Sequence, residues 1–137
     1  MDTSTVNLKK RKKILVIDDE EAFGRMIKLN LEKTQGYEVK LEPDGKKALL
    51  AAKAFGPDLI FLDLIMPEML GEDVMHLLKA DDSTKYIPVV FLTASVESGE
   101  ISHHQGVLEK YPYLEKPVSL NTIIDCIEQN VHIKNQT

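Results

Sequence analysis

Five polar side chains follow short apolar segments, each at a point where a buried strand could end. They are Asp18, Asp19, Asp63, Thr93 and Lys116. Carboxylate oxygens are ligands that Mg²⁺ prefers, and an ammonium group is a compact charge that suits a phosphoryl oxygen. If the fold gathers these side chains, they can hold a divalent cation and a phosphoryl group together.

Asp63 is the position where chemistry is most strongly indicated. It follows the apolar segment Leu59–Leu62, which is typical of a fully buried strand, and Met66-Pro67 comes soon after it. Proline stops a strand or helix because it lacks a backbone N–H. The sequence therefore predicts an acid at the carboxyl end of a strand, where open α/β sheets bind their ligands. A plain loop acid is the alternative interpretation.

Strand and helix patterns alternate along the chain. Strands are predicted at 13–17, 37–41, 58–62, 87–92 and 111–114. Helices are predicted at 20–33, about 45–55, about 72–80, about 97–108 and 119–131. Asp19 can cap the first helix. Apolar residues at helical spacing should face the core, namely Phe23, Met26, Ile27 and Leu31 in the first helix and Val74, Leu77 and Leu78 in the third.

Five β–α units in succession predict an α/β fold with a parallel sheet that is covered by helices on both faces. Right-handed crossovers leave few topologies for such a chain. The flavodoxin-like, doubly wound strand order 2-1-3-4-5 opens a crevice between the first and third strands. Those are the strands that end in Asp18-Asp19 and in Asp63.

The composition of the 137 residues is ordinary for one soluble globular domain. A net charge of −5 disfavours nucleic-acid binding, apart from the basic run Lys9–Lys13. No apolar stretch is long enough to span a membrane. The single Cys126 cannot form an internal disulfide, which favours a reducing, cytoplasmic location. We expect a flexible basic tail over 1–11, a folded domain over 12–131 and a C-terminal tail over 132–137.

Four segments carry a resemblance to a known family. They are Ile14-Leu-Val-Ile-Asp-Asp-Glu20, Pro57-Asp-Leu-Ile-Phe-Leu-Asp-Leu-Ile-Met-Pro67, Pro88-Val-Val-Phe-Leu-Thr-Ala94 and Tyr113-Leu-Glu-Lys-Pro117. In their order and spacing, the chain resembles the receiver domain of a two-component response regulator, of the single-domain kind found in chemotaxis regulators. The resemblance covers about residues 12–131. The tail after Val131 is too short for an output domain, so we expect either a free-standing receiver or a piece of a longer protein.

The resemblance implies a role for each site residue. Asp63 would accept the phosphoryl group, while Asp18, Asp19, Asp63 and the backbone carbonyl of Ile65 would bind Mg²⁺. Thr93 and Lys116 would contact the phosphoryl group. Thr93 and Tyr113 would form the switch. The positions to which the resemblance assigns a role are Asp18, Asp19, Asp63, Ile65, Thr93, Tyr113 and Lys116.

The resemblance also implies partners and an activity. The phosphoryl group would come from a sensor histidine kinase or a histidine phosphotransfer protein, and phosphorylation would switch a surface that binds a downstream protein. The chain would be a signalling phosphoacceptor and not an enzyme with a separate substrate, since it would catalyse only its own phosphorylation and slow dephosphorylation. A homodimer is possible, whereas direct nucleic-acid or membrane binding is not expected.

Two expectations follow from the chemistry of the site. Clustered acids raise one another's pKa, so Mg²⁺ should stabilise the folded state. Ile65 and Ser95 lie where the family controls water access, and Ile65 has no polar atom to orient a water molecule. We therefore expect slow loss of the phosphoryl group.

One region departs from the family pattern. The segment before the last strand reads Gly106-Val-Leu-Glu-Lys-Tyr-Pro112, where the family usually has a Gly-Ala pair. The fourth helix has poor helix propensity, so it is expected to be short, shifted or mobile over 95–110. His103 and His104 are adjacent and point in different directions on a helix, so we interpret them as surface residues.

Two other functions are compatible with this fold class. A flavin-binding module would need a hydroxyl- and Gly-rich loop after the first strand, but this chain has Asp18-Asp19-Glu20-Glu21 there. A magnesium-dependent phosphatase with an aspartate nucleophile would need a second acid two residues after the first, where Ile65 stands.

Overall fold

The computed structural model describes residues 11–94 and 105–135 of the chain. Five strands form one parallel sheet in the order β2-β1-β3-β4-β5. The strands are β1 (Lys12–Ile17), β2 (Tyr37–Glu42), β3 (Leu59–Asp63), β4 (Val89–Thr93) and β5 (Tyr113–Glu115). The predicted strand order is confirmed, and β2 to β5 each end one residue later than predicted.

Within the described residues, five α-helices connect and cover the strands. They are α1 (Glu21–Lys33), α2 (Ala48–Phe55), α3 (Gly71–Ala80), α4 (Gln105–Lys110) and α5 (Leu120–Asn135). A 3₁₀ turn over Gly45–Lys47 leads into α2, and the Asp44 side chain accepts a hydrogen bond from the backbone N–H of Lys46. The turn and helix start predicted at Pro43-Asp44-Gly45 are therefore confirmed.

The helices form a layer on each face of the sheet. On one face α1 and α5 bury Ile27, Leu31, Ile123 and Ile127 together with side chains of the strands. The opposite face is covered by α2, α3 and α4 in a second apolar cluster. The central strands are buried on both faces, which explains why β3 and β4 appear in the sequence as continuous apolar runs. Within the described residues, no helix is both long and apolar enough to cross a membrane.

Two predicted core positions were wrong. Met26 in α1 is 38% exposed, and Leu77 in α3 is 45% exposed. In α1 the core position is taken by Gly24, whose missing side chain lets Leu41 of β2 approach the helix. In α3 the buried face is formed by Val74, Met75 and Leu78, so its apolar stripe lies slightly to one side of the predicted one.

The last two helices differ from their predicted bounds. α4 is helical from Gln105 to Lys110, and residues 95–104, which include Ser95, His103 and His104, lie outside the described residues. α5 continues to Asn135, beyond the predicted end at Val131. Neither glycine nor proline follows Val131 to stop the helix, which is why apolar periodicity alone placed its end too early.

Strand register brings the predicted site residues to one edge of the sheet. Ile17 pairs with Leu62, so the next residues on these two strands, Asp18 and Asp63, are level. Asp63 in turn pairs with Leu92, one residue before Thr93. The edge strand is aligned in the same way, since the backbone N–H of Lys116 donates to the carbonyl of Thr93 at 2.8 Å.

Candidate functional site

Three carboxylates meet at the carboxyl ends of β1 and β3. One oxygen from each of Asp18, Asp19 and Asp63 lies within 4.8 Å of the other two. Asp18 and Asp63 are buried, with 4% and 8% of their surface exposed, whereas Asp19 is exposed. Buried carboxylates at this separation repel one another unless a proton or a cation lies between them.

The protonation of Asp63 shows how unfavourable this cluster is without a cation. Burial and the negative charge of Asp18 raise the pKa of Asp63 to about 8. Lys116 and the backbone N–H of Ile65 act in the opposite direction, but they do not outweigh burial and repulsion. The Asp63 carboxyl also shares a hydrogen bond with Asp19, which raises its pKa further. A divalent cation would replace the proton that this cluster otherwise retains.

The donor set fits Mg²⁺. Mg²⁺ takes oxygen ligands, is bound by only a few protein carboxylates and keeps several waters, and an exposed Asp19 leaves one side of the cluster open to water. Asp18, Asp19 and Asp63 would hold the cation. The structure therefore brings together the three acids that were predicted as ligands, while their role remains a proposal.

Lys116 lies beside the acid cluster and not in bulk solvent. Its side chain is 14% exposed, and its Nζ lies 2.7 Å from Asp18 Oδ2 and 2.6 Å from Glu20 Oε1. Burial alone lowers the pKa of Lys116, but its hydrogen bonds to Asp18 and Glu20 and the charge of Asp63 together raise it above the usual value. The side chain therefore carries a full positive charge next to Asp63. The peptide bond that follows it, Lys116-Pro117, is cis.

Thr93 and Tyr113 differ in their surroundings. Thr93 is 1% exposed, and its Oγ1 has no hydrogen-bond partner among the described residues. A buried hydroxyl without a partner is unfavourable, so an acceptor that reached it would be bound well. Tyr113 on the edge strand β5 is 41% exposed, and it therefore faces outward in this conformation.

The loop after β3 is held tightly against the site. The backbone N–H of Ile65 donates to Asp63 Oδ1 at 3.3 Å, and Gly71 donates to the carbonyl of Leu64 at 2.8 Å. A Cβ on Gly71 would overlap the carbonyl oxygen of Asp63 and would lie 2.9 Å from Leu64 Cα. Only glycine therefore permits α3 to begin this close to the candidate nucleophile. The Ile65 side chain is 37% exposed at the rim of the site.

The predicted capping role of Asp19 was wrong. The α1 helix begins after Glu20, which makes no side-chain capping bond, and the backbone N–H of Glu20 instead donates to Asp18 Oδ1 at 2.9 Å. Asp18 thus uses one oxygen to shape the loop and the other to contact Lys116. Asp19 keeps its carboxylate free of the helix end and directed at the cluster.

The sequence prediction missed two residues of the site. Glu20 pairs with Lys116, and the Phe23 ring lies under the same ammonium at 4.5 Å. The sequence pattern places both residues in the first helix and predicts that Phe23 faces the core. The available signal was the short distance of Glu20 from the acid pair in the sequence, but only the position of α1 against the loop that carries Lys116 shows the contact.

A comparison with protein families gives one match. The family model described as "Response regulator receiver domain" matches residues 14–128. The matched region includes every residue of the candidate site.

Similar proteins agree with this match. The polar-differentiation response regulator DivK of Brucella anthropi is 33% identical over 118 residues, which is 85% of this chain and 94% of that protein. The DNA-binding response regulator MtrA of Mycolicibacterium smegmatis is 36% identical over 91 residues, and the aligned region is 66% of this chain but 38% of MtrA. The chain therefore spans well under half of the length of MtrA.

Among solved structures, the chemotaxis protein CheY4 of Vibrio cholerae has the same fold. The TM-score is 0.75 at 26% identity, and the match covers 88% of this chain and 98% of CheY4. Neither the flavin-binding module nor the aspartate-nucleophile phosphatase gains support from these comparisons.

Proposed function

We propose that the chain, which belongs to the family of response regulator receiver domains, accepts a phosphoryl group on Asp63 and thereby switches a protein-binding surface. The observation that carries this proposal is the juxtaposition of three carboxylates within 4.8 Å of one another and a buried lysine ammonium 2.7 Å from one of them. Such a set suits the capture of a phosphoryl group beside a divalent cation.

Asp63 is the proposed nucleophile. One of its carboxylate oxygens would bond to phosphorus while the bond from phosphorus to an imidazole nitrogen of the donor breaks, and the electron pair of that bond would stay on the nitrogen. Asp63 must be ionised for this step, and its raised pKa opposes ionisation when no cation is bound. Mg²⁺, when held by Asp18, Asp19, Asp63 and the Ile65 carbonyl, would supply charge neutralisation for the carboxylate and the phosphoryl group.

Lys116 and Thr93 are the proposed phosphoryl-contacting residues. Lys116 would donate to one phosphoryl oxygen, and the unpartnered hydroxyl of Thr93 would donate to another. A Thr93 side chain that turns toward the phosphoryl group would leave space in which Tyr113 could pack, since Tyr113 is exposed before phosphorylation. We propose this pair as the switch between site and surface, because phosphorylation shifts a population only through contacts that differ between the two states.

The partners and context follow from this role. The proposed donor is a sensor histidine kinase or a histidine phosphotransfer protein, and the proposed output is a protein contact on the surface formed by α4, β5 and α5. We propose a cytoplasmic location, with residues 1–11 as a tail, 12–131 as the receiver domain and 132–137 as a C-terminal segment. The exposed apolar side chain of Ile65 at the rim supports slow dephosphorylation, because it cannot orient a water molecule.

The direct test is mass spectrometry of the intact protein after incubation with acetyl phosphate. Wild type with Mg²⁺ should gain one phosphoryl group, and fragmentation should place the group on Asp63. The Asp63→Asn variant should gain none, and wild type in EDTA should gain little, since the anionic donor and the acid cluster then repel each other. The Asp82→Asn variant serves as a control, because Asp82 is an exposed acid outside the Asp18-Asp19-Asp63 cluster.

Two results would contradict the proposal. A phosphoryl group that still appeared in Asp63→Asn would place the nucleophile elsewhere. Equal phosphorylation of wild type in Mg²⁺ and in EDTA would show that the reaction does not need the metal.

A further inference from the structure

The ammonium of Lys116 contacts three side chains of the loop and helix that follow β1. Asp18 Oδ2 lies 2.7 Å from Nζ, Glu20 Oε1 lies 2.6 Å away and the centre of the Phe23 ring 4.5 Å away. All three partners come from one stretch of six residues, and Lys116 comes from the loop between β5 and α5. The contacts therefore join the two loops across the candidate site.

An ammonium group has three N–H donors and no acceptor. In this conformation Nζ donates to Glu20 Oε1, lies within ion-pair distance of Asp18 Oδ2 and faces the Phe23 ring. A phosphoryl group on Asp63 therefore competes with these contacts for the ammonium of Lys116.

The three contacts differ in how easily they are released. The Asp18 side chain is fully buried, and its other oxygen holds the backbone of Glu20. Phe23 is half-buried in the apolar cluster under α1. The Glu20 side chain is 62% exposed, so its carboxylate can turn into water with little loss of solvation. Glu20 is thus the partner that leaves first.

We infer that Glu20 is a positioning residue that competes with the phosphoryl group for Lys116. The inference rests on the proposed function and deepens it, because it assigns a resting partner to the lysine that would otherwise contact the phosphoryl group. Binding of a phosphoryl group exchanges Glu20 for a phosphoryl oxygen on Nζ, and Glu20 then faces solvent. Glu20 therefore lowers the affinity of the site for a phosphoryl group.

The test compares two variants with the same change of charge. Glu20→Gln weakens the contact with Lys116, whereas Glu21→Gln alters the neighbouring acid, which lies 4.0 Å from Arg25 in an exposed pair. Each variant and the wild type are titrated with beryllium fluoride in the presence of Mg²⁺, and the dissociation constant is measured by calorimetry. Beryllium fluoride is used because it imitates a tetrahedral phosphoryl group on a carboxylate.

Glu20→Gln should bind beryllium fluoride about two- to fivefold more tightly than Glu21→Gln, which is the range expected for release of one exposed ion pair. The ¹⁵Nζ resonance of Lys116, assigned by its loss in Lys116→Arg, should also move in Glu20→Gln and stay in place in Glu21→Gln. Thermal unfolding of both variants should remain close to that of wild type. If Glu20 only stabilised the fold, Glu20→Gln would change the unfolding temperature and leave the affinity for beryllium fluoride unchanged.

Equal affinities of the two variants, or weaker binding by Glu20→Gln, would overturn the inference while leaving the proposed function intact. Wild-type protein that binds no beryllium fluoride in the presence of Mg²⁺ would overturn the proposed function, and the inference with it.

Discussion

At the scale of single residues, the site is organised around an aspartate that the fold makes difficult to ionise. Asp63 is the last residue of a strand that is buried on both faces, and Asp18 lies level with it on the neighbouring strand. Both features raise its pKa, and the nearby Lys116 only partly compensates. A carboxylate in this position would gain most from a cation, which would link the proposed reactivity of Asp63 to metal binding.

The raised pKa has a consequence for stability that can be measured. In the unfolded chain the Asp63 carboxyl ionises near pH 4, roughly at its ordinary value, whereas in the folded protein its pKa is about 8. Its protonated form therefore favours the folded state, and this contribution is complete below about pH 4 and is lost as the pH rises to about 8. In EDTA, Asp63→Asn should consequently be more stable than wild type, by a margin that widens across this interval.

Thermal unfolding of wild type and Asp63→Asn in EDTA between pH 4 and pH 8.5 tests this prediction. Asp82→Asn is a suitable control, because Asp82 is exposed and pairs across one turn with Lys85. A constant difference between wild type and Asp63→Asn over the whole range would show that Asp63 ionises normally in the folded protein.

At this scale the sequence predicted where side chains lie when a residue type coincides with a strand end, whereas the roles of these side chains stay predictions. Asp18, Asp19, Asp63, Thr93 and Lys116 all follow apolar runs, and parallel strands end at a common edge. The contacts of Lys116 with Glu20 and Phe23 could not be predicted in this way, because they depend on the packing angle of α1 and not on any strand end.

At the scale of elements, the join between β3 and α3 is the most constrained part of the site. Gly71 lies against the backbone of Asp63 and Leu64, and a hydrogen bond of 2.8 Å from Gly71 to the carbonyl of Leu64 fixes the approach. The neighbouring atoms belong to the main chain and cannot rotate away as a side chain would. Any added Cβ must therefore move the start of α3 or the loop that carries Asp63.

Gly71→Ala should destabilise the protein by about 1–3 kcal/mol, which is typical for overpacking in a well-packed site. It should also weaken Mg²⁺ binding, since Asp63 would be displaced. Gly36→Ala is the matched control, because a Cβ there meets only Thr34 Oγ1 at 3.8 Å, an ordinary contact. Chemical denaturation of both variants measures their free energies of unfolding. If Gly71→Ala were as stable as Gly36→Ala, Gly71 would not lie this close to the backbone of Asp63 and Leu64.

Helix positions were predicted less accurately than strands for a physical reason. A strand of the central sheet is buried on both faces, so its apolar run shows it directly. A helix buries one stripe, and a small residue can occupy that stripe in place of a large one, as Gly24 does while Met26 is exposed. The end of a helix is also poorly marked when no glycine or proline follows it, as in α5.

At the scale of the whole molecule, the order of the strands in the sheet creates the site. The chain passes from β1 outward to β2 and then crosses to β3, so the ends of β1 and β3 are adjacent without a connection between them. The crevice left at this point contains all three acids of the cluster. This arrangement followed from the alternation of strands and helices with right-handed crossovers, and it is therefore the part of the structure that the sequence predicted most completely.

Because the acids belong to two loops that only the folded sheet brings together, metal binding and folding must be coupled. The unfolded chain has no comparable cluster of three carboxylates, so the proposed Mg²⁺ would bind the folded state preferentially and stabilise it. At a free Mg²⁺ concentration ten times the dissociation constant, the gain is about 1.4 kcal/mol. For a domain of this size, that gain corresponds to a rise of roughly several degrees in the unfolding temperature.

The most direct test of the account is the unfolding temperature of wild type and Asp18→Asn at pH 7.5, each measured in EDTA and in millimolar Mg²⁺. Asp18→Asn removes one acid of the cluster from the loop that does not carry Asp63. We predict that Mg²⁺ raises the unfolding temperature of wild type by several degrees and has much less effect on the variant. Equal unfolding temperatures of wild type in EDTA and in Mg²⁺, or an equal rise in both proteins, would contradict a divalent cation bound between the ends of β1 and β3.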